Sequence, residues 1–351
     1  TLTNVVFGNH VRHIPSSAFS GCNFTSLTFP NSLRSIGNNA FNNCGNLTSI
    51  DWGTGVETIG EYAFNNCNHV TSLSLPNTVK EIGGRAFSHW TVQSVTIPQS
   101  VEFLGDRSFS HNANLTNVTF NADSCDGYSS GPAIFEACTN LTTFMFGNNV
   151  KKIADRLCEG LPLTTVFIPN SVKCIGYYAF SNCTYLTNVN MGNGIEKILS
   201  SAFRECASLQ SITLPASLKT IGSYAFYGCN SLQSITIPKN VQTIGGLAFS
   251  RCSNLDTLFY NADNVTDYGY ISSSVYNVFG NTYLKKIYIG NNVKTLPNYA
   301  FQNQTYIDSI SIPDSVHLIG IYAFTGCTGL SYVTIGNSVD TIKNGAFEGC
   351  I

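Results

Sequence analysis

The sequence is poor in charge and has no long apolar run. Charged residues make up 11% of the 351 residues, against roughly 25% in an ordinary soluble protein. No apolar run approaches the ~18 residues that span a bilayer, and no signal-peptide pattern opens the chain, so we predict no membrane span. The formal net charge is −2. Without a block of Lys and Arg there is no basic face for phosphates, which excludes a nucleic-acid partner.

A repeat anchored by Ala-Phe, or by a degenerate copy of it, runs along the chain. From Phe19 to Phe347 the anchors cover 328 residues in fourteen steps, about 23 residues per step. Repeats of this period form solenoids in which each coil packs against its neighbours. The fifteen anchors are Phe19, Phe41, Phe64, Phe87, Phe109, Phe135, Leu157, Phe180, Phe203, Phe226, Phe249, Phe279, Phe301, Phe324 and Phe347.

One repeat, residues 209–230, reads LQSITLPASLKTIGSYAFYGCN. The alternation from Ile212 to Leu214 predicts a strand, which Pro215 ends because proline cannot donate to a ladder. We expect about one turn of helix around Ala225-Phe226, with the Phe ring filling the interior. A single repeat cannot bury its own apolar side chains, whereas stacked repeats share one core. The sequence therefore predicts one solenoid domain over residues 1–351.

The pattern L-x-x-L-x-[LI]-P-x-x-[VL]-x-x-I-G-x-x-A-F-x-x-C resembles the BspA-like class of leucine-rich repeats, found in surface proteins of host-associated bacteria and some protozoan parasites. The resemblance implies a leucine-rich repeat solenoid of the α/β class, dominated by β structure. Its parallel sheet would comprise about fifteen ~23-residue coils with short helical turns, curved and right-handed. It also implies an extracellular or cell-surface location and adhesion to other proteins.

Two steps are longer than the rest, which predicts insertion loops at about 121–134 and 261–278. Both loops begin with Asn-Ala-Asp, 140 residues apart, which indicates that a block of about six coils was duplicated. Asp123 with Asp126, or Asp263 with Asp267, are candidate Ca²⁺ ligands, but their spacing favours ordinary turn chemistry. Neither end of the chain carries the polar cap of a solenoid. We therefore expect a piece of a longer protein.

Ten of the 13 cysteines share one slot, three residues after the anchor. Translation from coil to coil would place their Cβ atoms ~5 Å apart and parallel, whereas a disulfide needs converging Cβ atoms 3.5–4.5 Å apart. We predict a structural ladder of buried free thiols with weak hydrogen bonds to turn backbone. Single Cys residues this far apart also disfavour a metal site. The ladder comprises Cys22, Cys44, Cys67, Cys138, Cys183, Cys206, Cys229, Cys252, Cys327 and Cys350.

The sequence contains no catalytic or nucleotide-binding motif such as G-x-S-x-G, H-E-x-x-H or a P-loop, so we predict no enzyme activity and no cofactor. His89 and His111 occupy the same slot in adjacent coils, each with an Arg four residues before it (Arg85 and Arg107). Stacked, they would form a convex patch that is either pH-sensitive or anion-binding, although copying of one repeat into the next explains it more simply.

The outward positions of the inner sheet are mostly small hydroxyl residues, which makes large apolar residues there candidates for an interface. The candidate ligand-binding residues form two neighbouring pairs, Met145 with Phe167 and Phe259 with Tyr288, together with Tyr332 in a later strand. Shielding of each pair by the adjacent insertion loop is the alternative reading.

Two functions follow from this pattern. The first is a non-enzymatic cell-surface or secreted binding module that adheres to an extracellular, host or matrix protein, with a glycan as a further candidate ligand, through the concave sheet and the insertion loops. The second is a structural stalk or self-assembling surface-layer spacer with no ligand of its own.

Overall fold

Parallel strands in two ladders build the protein. The computed structural model describes residues 2–127, 131–263, 265 and 277–351. Contacts divide the chain into two units, Thr1–Val172 and Lys173–Ile351. Both are parallel β-solenoids, with about fourteen ~23-residue turns in total, so the predicted repeat fold is confirmed. The assignment of the whole chain to one domain stays a prediction.

The long-strand ladder consists of strands of three or four residues that follow the first apolar residue of each repeat. In the first unit β2 pairs with β4, and β7 pairs with β9 and β9 with β11, all parallel. In the second unit β18 pairs with β20, β20 with β21, and β23 with β25, also in parallel. These strands are β2 (Ser26–Thr28), β4 (Ser49–Asp51), β7 (Ser94–Ile97), β9 (Asn117–Phe120), β11 (Thr143–Phe146), β13 (Thr165–Phe167), β15 (Asn188–Asn190), β18 (Ser234–Ile237), β20 (Thr257–Tyr260), β21 (Lys286–Ile289), β23 (Ser309–Ile312) and β25 (Tyr332–Ile335).

The short-strand ladder consists of two-residue strands that precede the anchor. Six of them, β1, β3, β5, β6, β8 and β10, form one parallel sheet in the first unit. In the second unit β14, β16, β17 and β19 form one parallel sheet and β22, β24 and β26 another. They are β1 (His13–Ile14), β3 (Ser35–Ile36), β5 (Thr58–Ile59), β6 (Glu81–Ile82), β8 (Phe103–Leu104), β10 (Asp126–Gly127), β12 (Lys152–Ile153), β14 (Cys174–Ile175), β16 (Lys197–Ile198), β17 (Thr220–Ile221), β19 (Thr243–Ile244), β22 (Thr295–Leu296), β24 (Leu318–Ile319) and β26 (Thr341–Ile342).

Within each unit, one described repeat between strands of the long-strand ladder has no regular strand, and β11 and β13, like β21 and β23, belong to separate sheets. Residues 71–76 and 209–214 are described but form no regular strand, and Leu73 keeps one isolated parallel bridge to Val95. The strand predicted from Ile212 to Leu214 is therefore wrong, although both side chains are buried as expected. The central residues of the two interruptions, Leu73 and Ile212, are 139 positions apart. The two insertion loops start 140 positions apart, so the two interruptions have nearly the spacing that the predicted duplication of about six coils would produce.

The anchor rings stack into a column inside each unit. Neighbouring ring centroids lie between 5.1 and 6.0 Å apart from Phe19 to Phe135. From Phe180 to Phe347 they lie between 5.2 and 6.5 Å apart. Such aromatic contacts add to the stabilisation from burial alone. The column therefore contributes strongly to the stability of the core.

The anchor segments are turns, and the predicted helical turn around Ala225-Phe226 is wrong. The N–H groups of Tyr224, Phe226 and Gly228 donate to carbonyls of the following coil at 2.8–3.1 Å, whereas those of Ala225 and Tyr227 bond within their own coil. An α-helix needs consecutive i to i−4 bonds, whereas the bonds within this coil run from i to i−3 and occur only at every second residue. The described residues accordingly contain no helix.

Two left-handed residues make the alternation possible in thirteen of the fifteen anchor segments, while those of Phe135 and Phe279 have one each, Ala137 and Asn281. Tyr224 has φ 58° and Gly228 has φ +72°. Glycine adopts this region freely, whereas for other residues it costs roughly 1–2 kcal/mol. The backbone hydrogen bonds between coils offset that cost.

Candidate functional site

The outward side chains of the long-strand ladder form one exposed face in each unit. In β18 the side chains of Ser234 and Thr236 are exposed, while those of Ile235 and Ile237 are buried. Successive strand residues point to opposite faces, so hydroxyl groups cover the outside and aliphatic groups enter the core. The facing predicted from the sequence is therefore confirmed.

Met145 and Phe167 interrupt this polar face in the first unit. Each is the third residue of its strand, and β11 and β13 are neighbours. Their exposed fractions are 52% and 67%. Met145 lies in register with Thr119 of β9, so a polar residue borders the apolar pair.

Phe259 and Tyr288 form the better defined pair, in the second unit. They are register partners in β20 and β21, and their rings stack with centroids 5.0 Å apart and planes 12° apart. Their exposed fractions are 40% and 50%. Each ring shields one face of the other and leaves its remaining surface open to a partner.

Tyr332 is 67% exposed and lies opposite Ser309. Because β23 lies between β21 and β25, one strand separates Tyr332 from the strand of Tyr288. The structure thus brings Phe259 and Tyr288 together and places Tyr332 on the same ladder without stacking it on them.

Two exposed tyrosines of the second unit were missed by the sequence reasoning. The rings of Tyr283 and Tyr306 lie 5.0 Å apart. Both precede the first apolar residue of their repeats, where Asn, Ser or Gly stands in several other repeats. Aligning that slot across the repeats would have found them.

The cysteine slot lies against the anchor backbone of the preceding coil. Eight of the ten thiols donate to the carbonyl of the preceding anchor Phe at 3.1–3.3 Å, namely those of Cys44, Cys67, Cys138, Cys206, Cys229, Cys252, Cys327 and Cys350. For six of these eight carbonyls the thiol is a second donor, because the carbonyl also accepts from a backbone N–H of its own turn.

Three of the five residues that replace cysteine in this slot make the same bond, whereas Gly160 has no side-chain donor and Thr282 Oγ1 donates to the carbonyl of its own anchor, Phe279. Asn112 Nδ2 donates to the Phe87 carbonyl at 3.1 Å, and Gln304 Nε2 donates to that of Phe279 at 3.1 Å. Trp90 Nε1 donates to the carbonyl of the preceding anchor at 2.7 Å. A hydrogen-bond donor, rather than a small apolar side chain, is the property that these residues share with cysteine.

Burial governs the ionisation of several of these thiols, although a hydrogen bond with Cys67 lowers the pKa of Cys44. Burial raises the pKa of Cys138 and of Cys327 to about 12, and it raises the pKa of Cys206 and Cys229 well above the ordinary value. Since the thiolate is the reactive form, these cysteines are poor nucleophiles in the folded protein.

The structure brings together the two histidines of the predicted histidine and arginine patch. The rings of His89 and His111 stack at 4.6 Å, and burial, followed by the charges of His111 and Arg85, lowers the pKa of His89. Arg107 forms an ion pair with Glu136, and the Arg85 guanidinium lies over a tyrosine ring. The paired Arg107 is less available to an anion than its sequence position suggested.

The acidic residues of the insertion loops are partly described. Asp123 Oδ2 accepts a hydrogen bond from Gln99 Nε2 at 2.9 Å, and Asp126 forms an ion pair with Lys152. Asp267 lies outside the described residues. Within the described ranges, His, Cys, Asp and Glu form no group of three or more that could hold a metal. In the same ranges no helix is long and apolar enough to cross a membrane.

Comparison with known proteins identifies the repeat. The model of the BspA type leucine rich repeat region matches residues 1–116, 59–187, 153–275 and 261–351, which together cover the whole chain. The chain belongs to this family. BspA-type repeat proteins are a family of bacterial surface proteins. No curated protein sequence matches this chain significantly.

Solved structures of leucine-rich repeat proteins are similar to this BspA-type chain. A leucine-rich repeat protein from Bacteroides ovatus is 28% identical, with a TM-score of 0.65 over 97% of this chain and 80% of that one. A leucine rich cell surface protein from Faecalibacterium prausnitzii is 25% identical, with a TM-score of 0.40 over 99% and 83% of the two chains. The first of these supports the solenoid fold.

Proposed function

We propose that this chain is a non-enzymatic binding module, displayed at the cell surface or secreted, that holds an extracellular or host-surface protein. Membership of a family of bacterial surface proteins supports the location. Leucine-rich repeats of this family are typically non-catalytic, which supports a binding role.

The stacked pair of Phe259 and Tyr288 is the observation that carries this proposal. Exposed apolar side chains cost solvation free energy, and contiguous ones on a polar surface mark interaction sites. The rings already hold each other at 5.0 Å, so a partner would lose little side-chain entropy by fixing them. Aromatic anchors of this kind dominate the affinity of protein interfaces.

Apart from the exposed Lys286, two residues before Tyr288 in β21, the surroundings of the pair favour recognition by shape and apolar contact rather than by charge. Thr236 stands in register before Phe259, and Ser311 occupies the corresponding position of β23, beyond Tyr288. With a net charge of −2, the chain produces little long-range steering. Binding should therefore depend weakly on ionic strength.

The test is a binding assay with the double variant Phe259→Ala, Tyr288→Ala. A panel of purified matrix and host-surface proteins is immobilised, and the affinity of each retained protein is measured by surface plasmon resonance. Loss of two anchors should weaken binding about 30-fold or more.

The matched control is Ser234→Ala, Ser309→Ala, which changes two small outward residues of the same ladder and should alter affinity by no more than about twofold. Retention of full affinity by the aromatic double variant would exclude this pair as the binding site. Failure of every protein on the panel to bind would favour the stalk or surface-layer spacer.

A further inference from the structure

A polar groove of about 910 Å³ lies in the first unit, and its described lining does not include Met145, Phe167, Phe259 or Tyr288. Its lining comes from the turns that end four successive long-strand segments, and it includes Asn77, Gln99, Asp123, Asn148 and Asn149. Four strands at ~4.8 Å spacing give a length of roughly 14 Å, which accommodates about four residues of an extended peptide.

The groove exists because one turn is recessed between its neighbours. Gln99, Ala122 and Asn148 are each the second residue after a long strand. Gln99 and Asn148 are exposed, whereas Ala122 is completely buried. The turn that opens the first insertion loop therefore lies deeper than the turns on either side.

The amide groups along the groove have unused hydrogen-bonding capacity. In other coils the side chain of the residue that follows the strand-ending proline accepts a hydrogen bond from a backbone N–H of the next coil. Asn31 Oδ1 accepts from the N–H of Thr54 at 3.1 Å, and Asp314 Oδ1 accepts from that of Asn337 at 2.7 Å. In the groove, the side chains of Asn77, Asn148 and Asn149 make no hydrogen bond to the described residues. Such amides can both donate to and accept from a peptide backbone.

Asp123 is the residue of the described lining that carries a charge. Its Oδ2 accepts from the neutral amide of Gln99 at 2.9 Å. Its Oδ1 is enclosed and has no hydrogen-bond partner among residues 2–127, 131–263, 265 and 277–351. A carboxylate removed from water is costly unless a charge pairs with it, and within the same ranges Asp123 forms no ion pair.

The duplicated block shows what pairs with such a carboxylate. In the second unit Lys239 stands where Gln99 stands in the first, Ala262 is again buried, and Asp263 replaces Asp123. Lys239 Nζ lies 3.7 Å from Asp263 Oδ2. The second copy thus supplies from its own chain an ammonium group that the first copy lacks.

We propose that the groove of the first unit binds an extended peptide segment of a partner protein whose lysine ammonium pairs with Asp123. The lysine occupies the position that Lys239 fills in the second copy, and the free amides of Asn77, Asn148 and Asn149 bond the peptide backbone. This site is separate from the aromatic surface of the proposed function, and its test uses different variants.

The experiment titrates the whole chain with the peptide acetyl-Ser-Gly-Lys-Gly-Ser-amide and follows saturation transfer by NMR. We expect binding that weakens with added salt. The same peptide with an ε-acetylated lysine should bind roughly tenfold to 100-fold more weakly, since it loses a hydrogen bond between charged groups.

Two variants test whether the peptide binds at Asp123. Asp123→Asn and Gln99→Lys should each weaken binding roughly tenfold to 100-fold, the first by removing the charge and the second by supplying an internal ammonium. Gln99→Lys copies a residue that the second unit already accommodates at this position. The matched control Asp263→Asn should leave the affinity unchanged.

Three results would overturn the proposal: no binding of the lysine peptide, equal binding by Asp123→Asn, or equal binding of the acetylated peptide. Glucosamine, titrated separately, distinguishes an amino sugar from a peptide. If glucosamine binds while the lysine peptide does not, the assignment to a peptide is wrong.

Discussion

Replacing Asn112 by leucine tests the role of the donor slot. Asn112 is completely buried, and its amide joins two coils. Its Nδ2 donates to the Phe87 carbonyl at 3.1 Å, and its Oδ1 accepts from the N–H of Trp90 at 2.6 Å. Leucine has nearly the same shape, so Asn112→Leu removes both bonds with little change in packed volume.

The magnitude follows from the groups that lose their partners. A buried donor or acceptor without a partner costs about 1–3 kcal/mol, so two of them cost about 2–6 kcal/mol. Added apolar burial from leucine offsets part of this, about 1 kcal/mol. We therefore expect a net loss of about 1–5 kcal/mol in the free energy of unfolding, a large part of the ~5–15 kcal/mol of a typical domain.

The assay is urea unfolding followed by circular dichroism, compared with Asn112→Cys. Cysteine restores a donor to the Phe87 carbonyl but gives no acceptor to the N–H of Trp90, so its stability should lie between wild type and Asn112→Leu. If Asn112→Leu is as stable as wild type, or less destabilising than Asn112→Cys, the donor requirement is wrong.

Two further predictions concern the core and the thiols. Phe226→Ala should cost about 3–5 kcal/mol as a buried aromatic truncation, whereas Ser211→Ala on the exposed face should change the unfolding midpoint little; comparable losses would contradict the facing. Burial raises the pKa of Cys138 and Cys327 to about 12 from an ordinary 9.0, so the stability that these thiols contribute is complete below pH 9 and is lost as the pH rises toward 12. Between pH 8 and 11 the urea unfolding midpoint of a Cys138→Ala, Cys327→Ala variant should fall less than that of wild type. If the two midpoints fall equally with pH, these thiols do not contribute the pH dependence.

The repeat made much of the fold predictable. Equivalent slots must stack, so the alternation in one repeat, such as Ile212 to Leu214, established which side chains face inward in all of them. The same logic placed the anchor rings in one column. The outward position of Phe259 and Tyr288 followed from their slots, but the stacking of their rings depends on side-chain rotamers, which a slot does not specify.

The anchor conformation was not predictable from apolar spacing. Ala225-Phe226 has the composition of a helical turn, yet the backbone of Phe226 bonds to the next coil. The available signal was the glycine two residues after the anchor in several repeats, such as Gly228, because glycine favours left-handed φ. Tyr224 has the same left-handed conformation, but a tyrosine does not indicate a left-handed φ in the sequence.

The donor slot and the groove were missed for a different reason. Cysteine dominates its slot and is both small and weakly donating, so the sequence did not separate the two properties until Asn112 and Gln304 were seen in place. The groove depends on how deeply the turn at Ala122 is buried. The residue types of a turn do not indicate its depth, so the sequence alone did not reveal the groove.

The alternating hydrogen bonds of the anchor turns determine how this protein can change in length. The N–H of Phe226 donates to a carbonyl of the following coil. If one entire repeat were removed, the equivalent carbonyl of the next repeat could accept this hydrogen bond instead. Removal of half a repeat would bring a surface residue opposite the ring column and leave several backbone groups without acceptors. Gains and losses of whole coils, such as the predicted duplication of about six coils, are therefore the changes that the architecture tolerates.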